Sequence, residues 1–244
     1  MDQSLWQSAG GTVRQSDPLA VNTSAFRGRK TSRVKSERRR KEILEAAIRV
    51  AAREGIRGIK HRAVAAEARV PLAATTYYFR DINELVNDAF ALFAVGAQQQ
   101  LQVFYEALTL VLDGLQPDQL LRDSNYRSTL AERLTQISLA WMQDQFSRRR
   151  DQVLAEQVFV MEALRDERLA VVARRYRQFW IDGLERLLSR LDSPLPRQDA
   201  TLIVNVVLGM SYDLLLEIPG AESEVLSASV ERIVQLALGI QPEQ

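Results

Sequence analysis

Helical periodicity is the feature of this sequence that most restricts its fold. From Ser36 to Ile240, apolar residues recur at intervals of three and four, and no convincing alternation of apolar and polar residues indicates a half-buried strand. A glycine at position 55 ends the first periodic segment, and the run "SPLP" at 193–196 interrupts a later one. We therefore predict an all-α fold.

The predicted helices follow one another through short connections. Asp81 stands three residues before Glu84, which predicts an N-cap for the long fourth helix. The segment 117–146 is interpreted as one helix with a loose beginning. The predicted helices are 36–54, 61–68, 72–79, 83–108, 117–146, 150–164, 166–191, 197–218 and 221–240.

The composition argues against several classes of chemistry. The chain has 244 residues, no cysteine and one histidine, His61. Disulfides and thiolate metal sites are therefore absent, and histidine clusters and a Ser-His-Asp triad find little support. The glycine-rich phosphate-binding motifs are also missing. We predict no metal, no cofactor and no enzymatic activity. An all-α enzyme is a rival interpretation, and it would need a catalytic cluster.

The apolar segments are too short or too interrupted for a membrane. The N-terminus is polar and lacks the apolar block of a secretory signal. The most apolar long segment, 200–216, contains Asn205 and Asp213 and falls short of the ~20 apolar residues that a spanning helix needs. We expect a cytoplasmic protein with no membrane partner.

Charge is distributed unevenly along the chain. Residues 27–90 contain sixteen lysines and arginines against eight acidic residues, whereas residues 91–244 contain fifteen against twenty-one. A basic N-terminal part followed by an acidic remainder is typical of a polyanion-binding module joined to a different module. A solvated basic helix face is the alternative. Residues 1–34, rich in Ser, Gly, Gln and Thr, are interpreted as a disordered arm with a basic end.

The stretch "RVPLAATTYYFRD" at 69–81 has an unusual composition for a helix. It follows two short predicted helices, and the arrangement matches a helix-turn-helix. On a helical wheel, Thr75, Phe79 and, at the edge, Leu72 lie on one side. We expect this side to pack on the first two helices.

The opposite side of this third helix suits contact with duplex DNA. Ala73, Ala74 and Tyr77 point outward, and alanine methyl groups fit thymine methyl groups in the major groove. Thr76, Tyr77 and Tyr78 carry hydroxyls that can bond to phosphate oxygens. The alternative is a small core helix that merely buries its tyrosine rings.

Residues 37–90 resemble the TetR family of bacterial transcriptional regulators. The segments that carry the resemblance are "ILEAAIRVAAREG" and "VAAEARVPLAATTYYFRDINEL", and "VPLxxTTYYF" is similar to a subgroup variant of the family motif. There are departures: Lys60 stands where a threonine often caps the second helix, Arg69 and Ala73 replace common glycines, and Tyr78 replaces a histidine. The positions that match the family pattern are Val64, Ala65, Ala68, Val70, Phe79 and Leu85.

The resemblance implies a division of the chain and a set of DNA contacts. Residues 35–82 are expected to form the DNA-binding domain, and residues 83–244 a helical domain for effector binding and dimerisation. In the arm, Arg29 and Lys30 either reach the adjacent minor groove or belong to a non-specific tail. The expected contacts to DNA are Lys60, His61, Arg62, Leu72, Ala73, Ala74, Thr76, Tyr77, Tyr78, Arg80, Arg29 and Lys30.

The resemblance also implies a homodimer formed by the last two helices, about 197–217 and 221–239. Apolar stripes on both segments agree with such an interface, although both could instead be buried inside one subunit. The stripes contain Ala200, Ile203, Val204, Val207, Leu208, Ser211 and Leu215, and Val225, Ala228, Val230, Ile233, Val234, Ala237 and Leu238.

By resemblance again, the C-terminal domain should hold a small-molecule effector between the fourth and eighth helices. The expected function is a repressor that binds a palindromic operator as a dimer and is released by that effector. A constitutive DNA-binding regulator without an effector is the alternative. The expected effector contacts, with Arg177 and Asn205 as polar anchors, are Phe104, Tyr105, Trp141, Met142, Phe159, Tyr176, Arg177, Trp180 and Asn205.

Overall fold

The computed structural model describes residues 34–216 and 224–240, and these residues form ten α-helices and no strand. The all-α prediction is therefore confirmed. A short 3-10 turn at Ile56–Gly58 connects the first two α-helices. The helices are α1 Val34–Glu54, α2 His61–Glu67, α3 Leu72–Tyr78, α4 Ile82–Asp113, α5 Pro117–Arg122, α6 Ser124–Arg148, α7 Arg150–Ala163, α8 Glu167–Arg190, α9 Pro196–Leu215 and α10 Glu224–Ala237.

Helices α1, α2 and α3 form the three-helix unit that the sequence predicts. The inward stripe of α1, including Ile43 and Val50, is fully buried. Arg49 and Arg53 of α1 both donate hydrogen bonds to the Glu67 carboxylate of α2, at 2.6 and 2.7 Å. These two bonds hold the pKa of the Glu67 carboxyl below its usual value, and the bond from Arg49 contributes most. Because Glu67 is engaged by both arginines, α2 is held in position against α1.

Arg69 makes the turn between α2 and α3. Its φ of 54° lies in the left-handed region, which favours glycine. The turn is closed by backbone hydrogen bonds from Arg69 N to Ala66 O at 3.1 Å and from Val70 N to Ala65 O at 2.9 Å. The arginine is accommodated because its side chain is exposed to solvent.

The two larger apolar cores lie in different parts of the molecule. The first joins the three-helix unit to the beginning of α4 and to α7, and Phe79, Phe90 and Phe159 are its largest buried side chains. Phe159 stacks on Phe90 with ring centroids 4.9 Å apart. The second core lies among α4, α6, α8, α9 and α10. Helix α7 therefore contacts the three-helix unit directly.

The close packing of α4 against α8 depends on a glycine. A Cβ atom at Gly183 would lie 1.9 Å from Cε2 of Tyr105, so only glycine fits there without movement. The Tyr105 hydroxyl donates to the carbonyl oxygen of Trp180 at 2.7 Å. Burial raises the pKa of the Tyr105 hydroxyl well above its ordinary value. The phenol is thereby held neutral inside the second core.

The structure confirms the predicted N-cap of the fourth helix and moves several predicted helix boundaries, among them the end of α4, which lies at Asp113 and not at 108. The Asp81 side chain accepts a hydrogen bond from Glu84 N at 2.9 Å and caps α4, as expected. Helix α1 begins at Val34, so this residue belongs to the helix and not to the arm. The segment 117–146 contains two helices because the Asp123 backbone is extended and its side chain caps α6. Helix α3 ends at Tyr78, one residue early.

In the described ranges, none of the helices combines the length and apolar character needed to cross a bilayer.

Candidate nucleic-acid interface and ligand chambers

Helix α3 exposes one continuous face to solvent. Leu72 and Tyr77 are 45% and 53% exposed, and Ala73 and Thr76 are also exposed. These four residues occupy positions i, i+1, i+4 and i+5 and therefore share one side of the helix. The face combines two apolar side chains with a hydroxyl and a phenol, a combination that suits base edges and phosphates.

The structure shows where three residues of α3 lie. Leu72, which the helical wheel put at the edge of the inward side and which is also an expected DNA contact, lies at the exposed first turn. Ala74 was expected to point outward, yet it is half-buried against the first core. Tyr78 is buried, and its hydroxyl bonds to Oγ of Ser36 on α1 at 2.8 Å. In this conformation the Tyr78 hydroxyl holds α3 on α1 and is withdrawn from the exposed face.

His61 connects α2 to α3 through the buried side chain of Thr75. The Thr75 hydroxyl donates to the Leu72 carbonyl oxygen at 2.8 Å, so its oxygen accepts from Nδ1 of His61, 3.1 Å away. This arrangement fixes the tautomer with hydrogen on Nδ1. Nε2 of the neutral ring is then an acceptor, so His61 donates to a phosphate only as an imidazolium.

Exposed cations surround the α3 face. Lys60 and Arg62 are exposed at the beginning of α2. Arg80 follows α3, and its side chain is 73% exposed even though Nε lies 3.4 Å from Oε2 of Glu84. An exposed pair of this kind is weak and leaves the guanidinium able to turn towards a phosphate. Arg29 and Lys30 of the expected arm lie outside the described residues.

An apolar chamber lies in the second core, between α4, α6, α8, α9 and α10. Its volume is about 110 Å³. Five of the expected effector residues line it: Phe104, Tyr105, Trp141, Met142 and Trp180. Phe104 stacks on Trp141 with ring centroids 4.8 Å apart. The chamber suits a flat apolar group.

A smaller polar chamber of about 50 Å³ adjoins the apolar one and shares Trp141, Met142 and Trp180 with it. Tyr176, another expected residue, lines this chamber together with Glu156 of α7. Sequence analysis missed Glu156. A signal was present, because Glu156 lies on the same helical stripe as the buried Val153 and Ala163. A carboxylate on an apolar stripe is unusual enough to indicate a site.

Three expected effector residues line neither of these two chambers. Phe159 is fully buried in the first core, where its ring contacts Phe90 and Phe93. Nη2 of Arg177 donates to Oδ1 of Asn205 at 2.5 Å, in an exposed contact between α8 and α9. This pair ties two surface helices together, and its contact lies outside both chambers.

Burial raises the pKa of the Glu156 carboxyl to about 7, and a hydrogen bond with Tyr176 opposes the shift. The other polar groups of the chamber are uncharged: Gln100 of α4, Gln145 of α6, Gln152 and Gln157 of α7, and Ser211 of α9. Since no charged group among these lining residues compensates the carboxylate, folding favours its protonated form.

We expect Glu156→Gln to change the pH dependence of stability. A carboxyl whose pKa is raised by folding stabilises the folded state at low pH, and this contribution is lost as the pH rises through about 7. Between about pH 4.5 and pH 7, the wild type should therefore lose about 1–3 kcal/mol relative to the variant. Urea unfolding of both proteins across this range measures the difference, and parallel curves would contradict it.

The last two helices bury part of the predicted stripes within their own subunit. Ala200 and Val204 of α9 pack inside the second core, and Val230 and Val234 of α10 are also buried. The intervening positions of both stripes are half-buried or exposed. Large apolar side chains are also exposed on these helices: Leu202, Val206 and Tyr212 on α9, Leu216 just after it, and Leu236 together with Val225 of the predicted stripe on α10. The predicted dimer face stays a prediction, and these residues would extend it.

Among the residues that the structure describes, no cluster of three or more His, Cys, Asp or Glu side chains has the arrangement of a metal site.

Comparison with known proteins supports the resemblance seen in the N-terminal motifs. Residues 126–236, from the beginning of α6 into α10, match the family model described as Tetracyclin repressor-like, C-terminal domain. Comparison with curated proteins gives no significant match. The matched region contains Glu156, Tyr176 and both shared tryptophans of the chambers.

Three solved structures share the fold. A candidate TetR-family regulator from Mesorhizobium loti is 14% identical, with 85% of this chain and 96% of that chain covered and a TM-score of 0.60. One from Rhodococcus sp. is 19% identical, with 82% and 99% covered and a TM-score of 0.59. A candidate transcriptional regulator from Streptomyces coelicolor A3(2) is 18% identical, with 82% and 98% covered and a TM-score of 0.58. The chain thus shares its fold with these three structures, and its matched region is similar to the Tetracyclin repressor-like, C-terminal domain.

Proposed function

We propose that this chain is a TetR-family transcriptional repressor that binds a palindromic operator as a homodimer and releases it when a small-molecule effector binds. The observation that carries the proposal is the exposed face of α3, formed by Leu72, Ala73, Thr76 and Tyr77. Exposed cations at Lys60, Arg62 and Arg80 surround it. Residues 34–82 then act as the DNA-binding domain, and the helices from α4 onward as the effector and dimerisation domain.

The geometry of α3 supports binding in the major groove. The seven-residue helix is about 10 Å long, which matches a groove about 12 Å wide. Its buried side is anchored at Thr75 and Tyr78, so the exposed side is presented rigidly. In this interface Tyr77 and Thr76 contact phosphates and base edges, while Lys60 and Arg80 neutralise the backbone.

Two-fold symmetry requires an interface, and the exposed apolar residues of α9 and α10 support one. Leu202, Val206, Tyr212 and Leu216 form a row on α9, and Gly209 within it leaves open space around its Cα. Burial of such a patch is favourable by about 25 cal/mol for each Å² removed from water. The dimer would present two copies of α3 to successive major grooves, so the operator should be a near-palindrome.

Two helices provide a physical path from the effector chambers to the DNA-binding domain. Helix α4 begins beside α3 and carries Phe104 and Tyr105 of the apolar chamber about six turns later. Helix α7 carries Glu156 in the polar chamber and Phe159 in the first core, less than one turn apart. An effector that favours a different position of these helices weakens operator binding, and a coupling of ~1–3 kcal/mol corresponds to a 5- to 150-fold change.

We expect the double substitution Thr76→Ala, Tyr77→Ala to lower operator affinity about 10- to 100-fold, since it removes a hydroxyl and a phenol from each copy of the DNA-contacting face. Footprinting around the gene's own promoter would first identify the duplex, and fluorescence anisotropy would then measure affinity between 50 and 200 mM salt. The wild type should show a steep loss of affinity with salt.

Thr129→Ala, at an exposed position of α6, is the matched control and should bind as the wild type does. Circular dichroism and sedimentation must show that the double variant is a folded dimer. If the double variant bound the operator with wild-type affinity, α3 would not be the recognition helix. A wild type that stays monomeric and shows no salt-sensitive affinity for any duplex would overturn the proposed function.

A further inference from the structure

We propose that the polar chamber binds the protonated nitrogen of an aromatic amine, with Glu156 as its anchoring carboxylate, while the aromatic body of the ligand occupies the adjoining apolar chamber. The inference rests on the proposed function, because it names the chemical class of the effector. It is carried by three features: an uncompensated carboxylate, an aromatic enclosure and the shape of the connected chambers.

The carboxylate of Glu156 has no cationic partner among the lining residues of its chamber. Tyr176 is the one titratable neighbour that bonds to it, and the remaining polar lining groups are glutamines and Ser211. Glu156 is half-buried, and a carboxylate withdrawn from water without a cation is unfavourable unless it is protonated or a ligand supplies the missing charge. Glu156, which α7 places between buried apolar positions, therefore offers an acceptor to a cation from solution.

The rings beside Glu156 suit a cation as well as an aromatic body. Tyr176 and Trp180 meet edge to face with centroids 6.3 Å apart, and Trp141 and Trp180 do so at 5.7 Å. The Phe93 ring lies beside them, with its centroid 6.2 Å from that of Tyr176. The faces of such rings attract ammonium groups, most strongly where water is excluded. A carboxylate together with several aromatic faces selects positive charge over neutral or negative groups.

Two indole nitrogens in the shared wall mark a further polar position. Nε1 of Trp141 and Nε1 of Trp180 are buried and have no hydrogen-bond partner of good geometry in the described structure. The Tyr176 hydroxyl interacts with both the Trp180 indole and the Glu156 carboxyl. Buried donors without acceptors are uncommon and costly, so water is expected beside them, because a protonated amine supplies no acceptor.

The volumes indicate the size of the ligand. The apolar chamber has about 110 Å³ and the polar chamber about 50 Å³. An apolar cavity of about 150 Å³ holds one benzene ring. A single ring joined to an amine by a short chain therefore fits with small adjustments, whereas a larger ligand requires the helices to separate.

The test compares three probes of one shape: 2-phenylethylamine, 2-phenylethanol and phenylacetate. Intrinsic fluorescence of Trp141 and Trp180 reports binding, and calorimetry confirms the affinity. We expect the amine to bind at least about tenfold more tightly than the alcohol, and phenylacetate to bind most weakly. Glu156→Gln should remove the preference for the amine, whereas Asp151→Asn, at an exposed position of the same helix, should keep it.

A second readout separates anchoring from a purely structural role of Glu156. Binding of the amine ionises a carboxyl that is partly protonated near neutral pH, so calorimetry in buffers of different ionisation enthalpy should detect proton release near pH 6. The affinity for the amine should rise about 30-fold between pH 5.5 and pH 8, because the binding free energy then no longer includes the cost of ionising Glu156. The Gln variant should show neither effect.

Three results would overturn the amine assignment: equal affinity for amine and alcohol, an unchanged preference in Glu156→Gln, or no binding of the amine at 10 mM. Operator affinity is measured on the same preparations. A wild type that binds its operator but not the amine would retain the proposed function and lose this inference. A protein that binds the amine but no duplex would retain the amine site and lose the proposed function.

Discussion

Replacement of Asp88 by leucine is expected to lower the free energy of unfolding by about 3–5 kcal/mol. The Asp88 side chain is 2% exposed, and its Oδ2 accepts a hydrogen bond from Nη2 of Arg40, which is itself 13% exposed. The Arg40 guanidinium carbon also lies 5.2 Å from the centre of the Phe79 ring. Removal of the carboxylate leaves a buried positive charge against an apolar core, and the cost of that charge dominates the effect.

The double variant Arg40→Met, Asp88→Leu separates the loss of the ion pair from the loss of packing. Apolar residues of similar size leave no buried charge, so the double variant should regain most of the lost stability. Equilibrium urea unfolding at one fixed protein concentration measures the wild type and both variants, since the stability of the proposed dimer would depend on concentration.

An exposed pair on the same helix provides the control for this prediction. Lys41 and Glu45 are 3.7 Å apart with both side chains exposed, so Glu45→Gln should cost less than about 0.5 kcal/mol. A loss as small as this for Asp88→Leu would mean that water reaches the Arg40 guanidinium. The pair could then not serve as a rigid connection between α1, α4 and the end of α3.

Sequence analysis succeeded where structure depends on near neighbours. The N-cap at Asp81 was predicted because the bond to Glu84 N spans three residues. The buried stripe of α1 followed from helical period alone, because every residue of that stripe faces the same core. The break at Asp123 was missed, although Asp is a favourable N-cap, because the apolar period continues across it.

Sequence analysis failed where a contact joins distant parts of the chain. Tyr78 was expected to offer its hydroxyl to a phosphate, but that hydroxyl bonds to Ser36, 42 positions earlier, and this bond withdraws it from the exposed face. Glu156 was overlooked because its burial depends on residues of four other helices. Arg177 and Asn205 were plausible anchors by type, yet they bond to each other across α8 and α9. Side-chain type alone does not determine which surface a helix presents.

The position of α7 is the most consequential of these non-local features. Helix α4 is one connection between the two parts of the molecule, because it contacts both cores. Helix α7 is a second, more direct connection, because it packs on α1 and carries Glu156 in the polar chamber and Phe159 in the first core. In the proposed function, movement at one end of this short helix would reach the three-helix unit by packing.

Phe159→Ala is expected to lower the free energy of unfolding by about 3–5 kcal/mol. The ring is fully buried, lies 4.9 Å from the centre of Phe90 and 6.0 Å from that of Phe93, and is nearly parallel to the first. Truncation leaves a cavity at the point where α7 meets the DNA-binding domain, and it also removes aromatic contacts that contribute about 0.5–1.5 kcal/mol beyond burial. Urea unfolding measures the loss.

Met161→Ala, two residues further along α7, tests whether the effect belongs to the buried ring. Met161 is 47% exposed, so its truncation should change stability by no more than about 0.5 kcal/mol. Phe159→Leu retains most of the volume and should fold with a smaller loss, which allows operator binding to be measured with and without the amine. If α7 transmits the signal, the amine should alter operator affinity less in Phe159→Leu than in the wild type, and an unchanged response would assign the signal to α4.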